Sequence, residues 1–120
     1  MTTANLTDLY QGIKTYDAMG PEVFNIWLAA ELHLHVDDPE AIALLLRQGA
    51  NPVRSHDWNG FPDVLQHAIQ HAGAADVQVV QMLLEAGADP NYHERGTGTT
   101  ALQVCTNPAV AELLIQHNAH

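Results

Sequence analysis

The chain has 120 residues and a formal charge of −10, from 14 acidic and 4 basic residues with histidine neutral. That length fits one domain, and a single Lys with three Arg cannot line a groove for phosphates, so nucleic-acid binding and attraction to an anionic membrane are excluded as expectations. Apolar residues make up 47%, enough for a core, while only 15% are charged, which favours a surface used for contacts.

The first residues, MTTANLTDLYQG, lack the basic start and apolar run of a signal peptide. No stretch approaches ~20 apolar residues, so no transmembrane helix is expected. Cys105 stands alone, so no intramolecular disulfide can form. The expected location is the cytoplasm.

Two amphipathic helices open the chain. Leu6, Leu9, Tyr10, Ile13 and Tyr16 mark one near 5–18, and Val23, Phe24, Trp27 and Leu28 mark another near 21–35. Asp38-Pro39 is an N-cap and first-turn pair that starts a helix over 39–48. Leu44, Leu45 and Leu46 close it, Gly49 ends it, and Pro52 prevents a restart. Further helices are expected at 62–72 and at 76–86, the second capped by Asp76 and ended by Gly87. Short helices follow at 99–105 and 108–117, the last starting at Asn107-Pro108. The turns at 50–60 and 88–98 are the only candidates for short extended fingers.

The helix ends repeat. Residues 44–52 read LLLRQGANP, residues 82–90 read MLLEAGADP, and residues 113–120 read LLIQHNAH. Gly49, Gly87 and Asn118 share one place in the frame, 38 and 31 residues apart. Such a period indicates stacked repeats. Asn is the residue after Gly that best tolerates the left-handed backbone this place requires.

These phrases resemble the ankyrin repeat family. The family pattern has a D-x-x-G turn, a T-P-L-H helix start and a second helix ending in L-L-L-x-x-G-A-D. Asp57-Trp58-Asn59-Gly60 matches the turn, Thr100-Ala101-Leu102-Gln103 stands in the T-P-L-H place, and Leu32-His33-Leu34 echoes its L-H-L part. The resemblance covers roughly residues 30–120. No complete T-P-L-H occurs, an extra turn at His71–Ala75 lengthens the second unit, and the first helix of the third is short. The implied fold is all-α: an ankyrin-like helical repeat solenoid with an N-terminal helical cap. Residues 1–120 form one domain in this reading, with 1–30 as the cap and 31–120 as three degenerate repeats. The last helix is either polar outside, through Glu112, Gln116 and His117, or covered by a partner.

Catalytic patterns are weak. Ser55-His56-Asp57 has the residues of a triad in a row, but adjacent side chains point apart and a triad is assembled by the fold. Gly96-Thr97-Gly98-Thr99-Thr100 lacks the Lys of a P-loop and reads as a turn whose Thr99 or Thr100 caps the next helix. Cys105 reads as an inert core thiol of the 99–105 helix, and Asp37, Asp38 and Glu40 as partners of a helix dipole. No enzyme activity and no cofactor are expected.

Histidine is over-used, at 33, 35, 56, 67, 71, 93, 117 and 120. His67 and His71 share a helix face at i, i+4, but a zinc site needs three or four ligands and only two can be named. The plain reading packs one against the next repeat and leaves the other in water. His33 and His35 point to different sides of their helix. Charging all eight would move the formal charge from −10 to −2, so binding to a basic partner should weaken below about pH 6.5.

Two turns carry the residue types that dominate binding energy. One holds Arg54, His56, Trp58, Asn59 and Phe61, and the other holds Tyr92, His93, Glu94 and Arg95. Trp58 either presents its ring or folds back on a helix. In ankyrin-like proteins such turns and the first helices line a concave face, so the resemblance implies a partner-binding site here. The expected function is non-catalytic protein binding, with a basic partner favoured by the charge. The narrower expectation is a small acidic inhibitor or immunity-type protein. The alternatives are an assembly module that associates through its last repeat, and a His-based metal-binding protein.

Overall fold

The computed structural model describes residues 6–52, 64–93 and 98–119, apart from the side chain of Ala74. Over those residues the chain is helical, with no strand. Helix α1 is Leu6–Asp17 and α2 is Pro21–Leu34, entered through Gly20 and the first-turn Pro21. Helix α3 is Pro39–Arg47, α4 is Val64–His71 and α5 is Asp76–Glu85. Helix α6 is Ala101–Val104 and α7 is Pro108–Gln116.

The caps show why these segments start where they do. The Asp38 carboxylate accepts the Glu40 and Ala41 N–H groups at 3.1 and 3.4 Å. The Asn107 side chain accepts the Ala109 N–H at 3.0 Å. Each satisfies donors that the first turn leaves without a helical acceptor. The expected cap of α5 differs. Asp76 is the first helical residue and Ala75 precedes it, because the extra turn winds into a 3-10 segment, Gly73–Ala75, that leads straight into the helix. The Asp76 carboxylate accepts the Val77 N–H at 2.7 Å and the Asn107 amide at 3.1 and 3.2 Å.

Three helix ends are built alike. The Ala50, Ala88 and Ala119 N–H groups donate to the carbonyls of Leu45, Leu83 and Leu114 at 3.1, 2.9 and 2.9 Å. This is the closing bond of a Schellman turn, and it needs a left-handed residue between helix and alanine. Gly49 and Gly87 supply it with φ of 101° and 107°, and Asn118 with 76°. All three alanines are buried, so each turn also delivers an apolar contact.

The helices stack in two layers. In one, α2 packs on α4 and α4 on α6; in the other, α3 packs on α5 and α5 on α7. Neighbours pair across the layers as α2–α3, α4–α5 and α6–α7, and α1 packs on α2. Leu28, Leu32, Ile42, Leu45, Leu65, Val79, Val80, Leu83, Val110 and Leu114 are fully buried in one continuous core between the layers. Area removed from water at these positions is the main favourable term.

Helix α1 is held differently. Trp27 stacks between Tyr16 at 5.0 Å and Phe24 at 6.1 Å. A Cβ at Gly12 would run into the Trp27 indole. Gly12→Ala is expected to displace the ring and cost about 1–3 kcal/mol, as overpacking does. Urea denaturation checks it, and an unchanged midpoint would show that the indole yields freely.

Candidate functional site

The turn after α5 is fixed from below by one buried amide. Gln66 on α4 is 3% exposed. Its Nε2 donates to the Tyr92 carbonyl at 3.1 Å and to the Thr99 carbonyl at 3.0 Å. The Thr99 hydroxyl donates to Gln66 Oε1 at 3.3 Å. One side chain thus ties together the two ends of the segment that carries His93, Glu94 and Arg95. A buried amide is tolerated because these bonds replace those it made to water.

The neighbouring groups extend the tie. The Asn91 N–H donates to Asp89 Oδ1 at 2.8 Å, and Asn91 Nδ2 donates to the Asn118 carbonyl at 3.1 Å. The Thr100 N–H donates to Gln103 Oε1 at 2.8 Å, which opens α6 with the expected Thr at its cap. Tyr92 is half-buried and His93 is exposed. Of the other candidate residues, Glu94 and Arg95 lie outside the described residues, as do Arg54, His56, Trp58, Asn59 and Phe61. Ser55 and Asp57 lie outside them too.

Three histidines meet in the first-helix layer. His33 on α2 and His67 on α4 approach Nδ1 to Nδ1 at 3.0 Å, with ring centroids 5.2 Å apart and nearly parallel. The His71 ring stands edge-on to His67 at 4.9 Å. Burial, and then the charge of His71, lower the proton affinity of His67 below its ordinary value. The pairing corrects one expectation: His67 packs on the preceding helix pair, not on the next. His71 is exposed, as expected. His35 turns away from this cluster and meets Glu31 at 3.1 Å. Among the described residues, no group of three His, Cys, Asp or Glu side chains is placed to hold a metal ion.

Sequence spacing did not reveal the His33–His67 contact. The available signal was that both residues belong to the first helices of consecutive units, and such helices stack. Cys105 also sits differently from its expected place. It lies one residue past α6, half-buried, with its thiol donating to the Asn107 carbonyl at 3.2 Å. Two clefts, of 140 Å³ beside Asn25, Ala29, Gly49 and Asn51 and of 130 Å³ beside Thr7, Tyr10, Gln11 and Lys14, are smaller than a site that encloses an organic ligand.

The layered pairs define a helical repeat protein. Residues 63–95 match the family model of the ankyrin repeat, so the α4–α5 pair and its following turn are ankyrin-like, and the all-helical stack accords with that fold. A comparison with curated proteins finds no match. Ankyrin repeats are in general non-catalytic modules that bind proteins, so the repeat indicates a protein–protein interaction role and a protein partner. Among the described residues, no helix is long and apolar enough to cross a membrane.

Proposed function

We propose that this protein is a small acidic inhibitor of the immunity type, which blocks a basic protein partner by binding it and not by catalysis. The observation that carries the reading is the Gln66 tie. It holds the Tyr92 and Thr99 backbone in place beforehand, so contacts made at those two positions cost little chain entropy. Tyr92 and His93 supply part of the contact in this reading, with Glu94 and Arg95 as further contact residues. Arg54, His56, Trp58, Asn59 and Phe61 form the second contact, from the preceding turn. The formal charge of −10 raises the encounter rate with a basic surface and disfavours acidic ones.

The same reading treats the chain as one cytoplasmic domain with three repeats, α2–α3, α4–α5 and α6–α7, behind an N-terminal cap. The boundary expected at residue 30 falls inside α2. Because α2 stacks on α4, it serves better as the first helix of the first repeat, which leaves α1 as the cap.

Capture on the immobilised protein tests the function. A stoichiometric basic protein is expected at low salt and lost at high salt, because exposed charge pairs are screened. The Trp58→Ala/Tyr92→Ala variant should lose it at either salt. Capture indifferent to salt and to both substitutions would overturn the proposed site and its electrostatic basis.

A further inference from the structure

We propose that the outward face of α2 is a docking surface for an amphipathic helix of another protein, one that is apolar along one side and carries Lys or Arg at both ends. Met19, Val23, Ile26 and Leu34 are 56, 41, 45 and 69% exposed, and they are four of the six large apolar side chains that stand so open among the described residues. Within α2, Val23, Ile26, Ala30 and Leu34 fall on one arc of about 80°, at ~100° per residue. The helix is engaged on its other sides. Leu28 and Leu32 are fully buried, Trp27 stacks on Tyr16 of α1, and His33 meets His67 of α4. Single exposed apolar residues are ordinary, but a continuous stripe of about three turns marks a surface that another molecule covers.

Charge selects the occupant. Glu22 lies one turn before Ile26 and Glu31 one turn before Leu34, so both border the stripe. Asp17 ends α1 and Asp37 follows α2, and both are exposed. Glu31 is already held by His35 at 3.1 Å, which leaves Glu22, Asp17 and Asp37 as the main attraction. Helix α2 itself has no Lys or Arg. A second copy of this chain is a poor occupant for the same reason. Paired antiparallel, the stripe sets Glu22 against the second copy's Asp37, and paired parallel it sets Glu22 against Glu22, with a charge of −10 on each chain. A helix with basic residues at both ends meets acid in either direction. Its apolar side chains gain by covering Ile26 and Leu34, and the small Ala30 leaves a hole between those two for one of them. This surface is separate from the two turns and does not depend on their being contacts.

Calorimetric titration of the full chain with a synthetic peptide tests the surface. The peptide is an alanine and glutamine helix with leucine at i, i+3, i+7 and i+11 and arginines at both ends. It should bind, and Ile26→Gln/Leu34→Gln should weaken it at least about tenfold. Ile115→Gln, which alters an equally open apolar residue on α7, should leave the affinity unchanged. Two control peptides should lose a similar factor, one with its leucines spread around the helix and one with glutamates in place of the arginines. The proposal is overturned by no binding, by binding that survives the double substitution or either control, or by an equal loss with Ile115→Gln. Self-association of the chain that the double substitution abolishes would also overturn it, because the stripe then faces a second copy. If the double variant fails to fold, peptide-induced amide shifts of the unaltered protein decide. Shifts centred on α2 support the surface, and shifts centred elsewhere sink it.

Discussion

Gln66→Ala is expected to destabilise the protein by about 3 kcal/mol, visible as a fall of about 1.5 M in the urea midpoint. The loss has two parts. Removing the amide leaves the Tyr92 and Thr99 carbonyls and the Thr99 hydroxyl without the partner they now share. Truncating a side chain only 3% exposed also opens a void in the core. The carbonyls can turn to water only if the turn lifts off α4. Exchange at 92–99 should therefore rise more than exchange in α3, which distinguishes loss of the tie from a general loss of stability. A stability within about 0.5 kcal/mol of the unaltered protein would mean that the Tyr92 and Thr99 backbone holds without Gln66, and the tie would no longer carry the functional reading.

Leu83→Ala should cost about 3–4 kcal/mol, the usual range for a leucine truncated in a rigid core. Helix α5 packs on α3, α4 and α7, so a void there cannot be filled by moving one neighbour without losing contact with another. Leu83 is fully buried beside Val79 and Val80, and its carbonyl accepts the Ala88 N–H that closes the helix. The backbone bond survives the substitution, so the change isolates side-chain packing. Together the two losses would take up much of the net stability of about 5–15 kcal/mol typical of a domain. Thermal and urea unfolding measure both, and a loss below about 1 kcal/mol for Leu83→Ala would show that the layers close around the gap.

Helix positions were legible because their punctuation is local. Asp38-Pro39, Asn107-Pro108, Gly49, Gly87 and Asn118 act through bonds spanning a few residues, so spacing alone located them. The frame that put Asn118 in the place of Gly49 and Gly87 is matched by its φ of 76° and its bonding. Long-range pairing was not legible. The amide of Gln66 reaches residues 26 and 33 positions away, and nothing in HAIQH or its surroundings marks a glutamine as buried. Asp76 looked like a cap because Asp commonly is one, but the 3-10 turn before it and the Asn107 amide across from it gave it another role. His33 and His67 lie 34 residues apart on separate helices, and local helix spacing says nothing of a contact between two helices.

The polar links between helix pairs share one property. Asn91 reaches Asn118, Asn107 reaches Asp76, and His33 meets His67, and each joins a pair to its immediate neighbour. Under tension applied between its ends, such a molecule carries load in series. Its strength is that of its weakest junction, not the sum of them all. The stack should therefore yield by peeling from a terminus, shedding one helix pair while the remainder stays wound. A force–extension trace would then show several small releases in place of one large rupture.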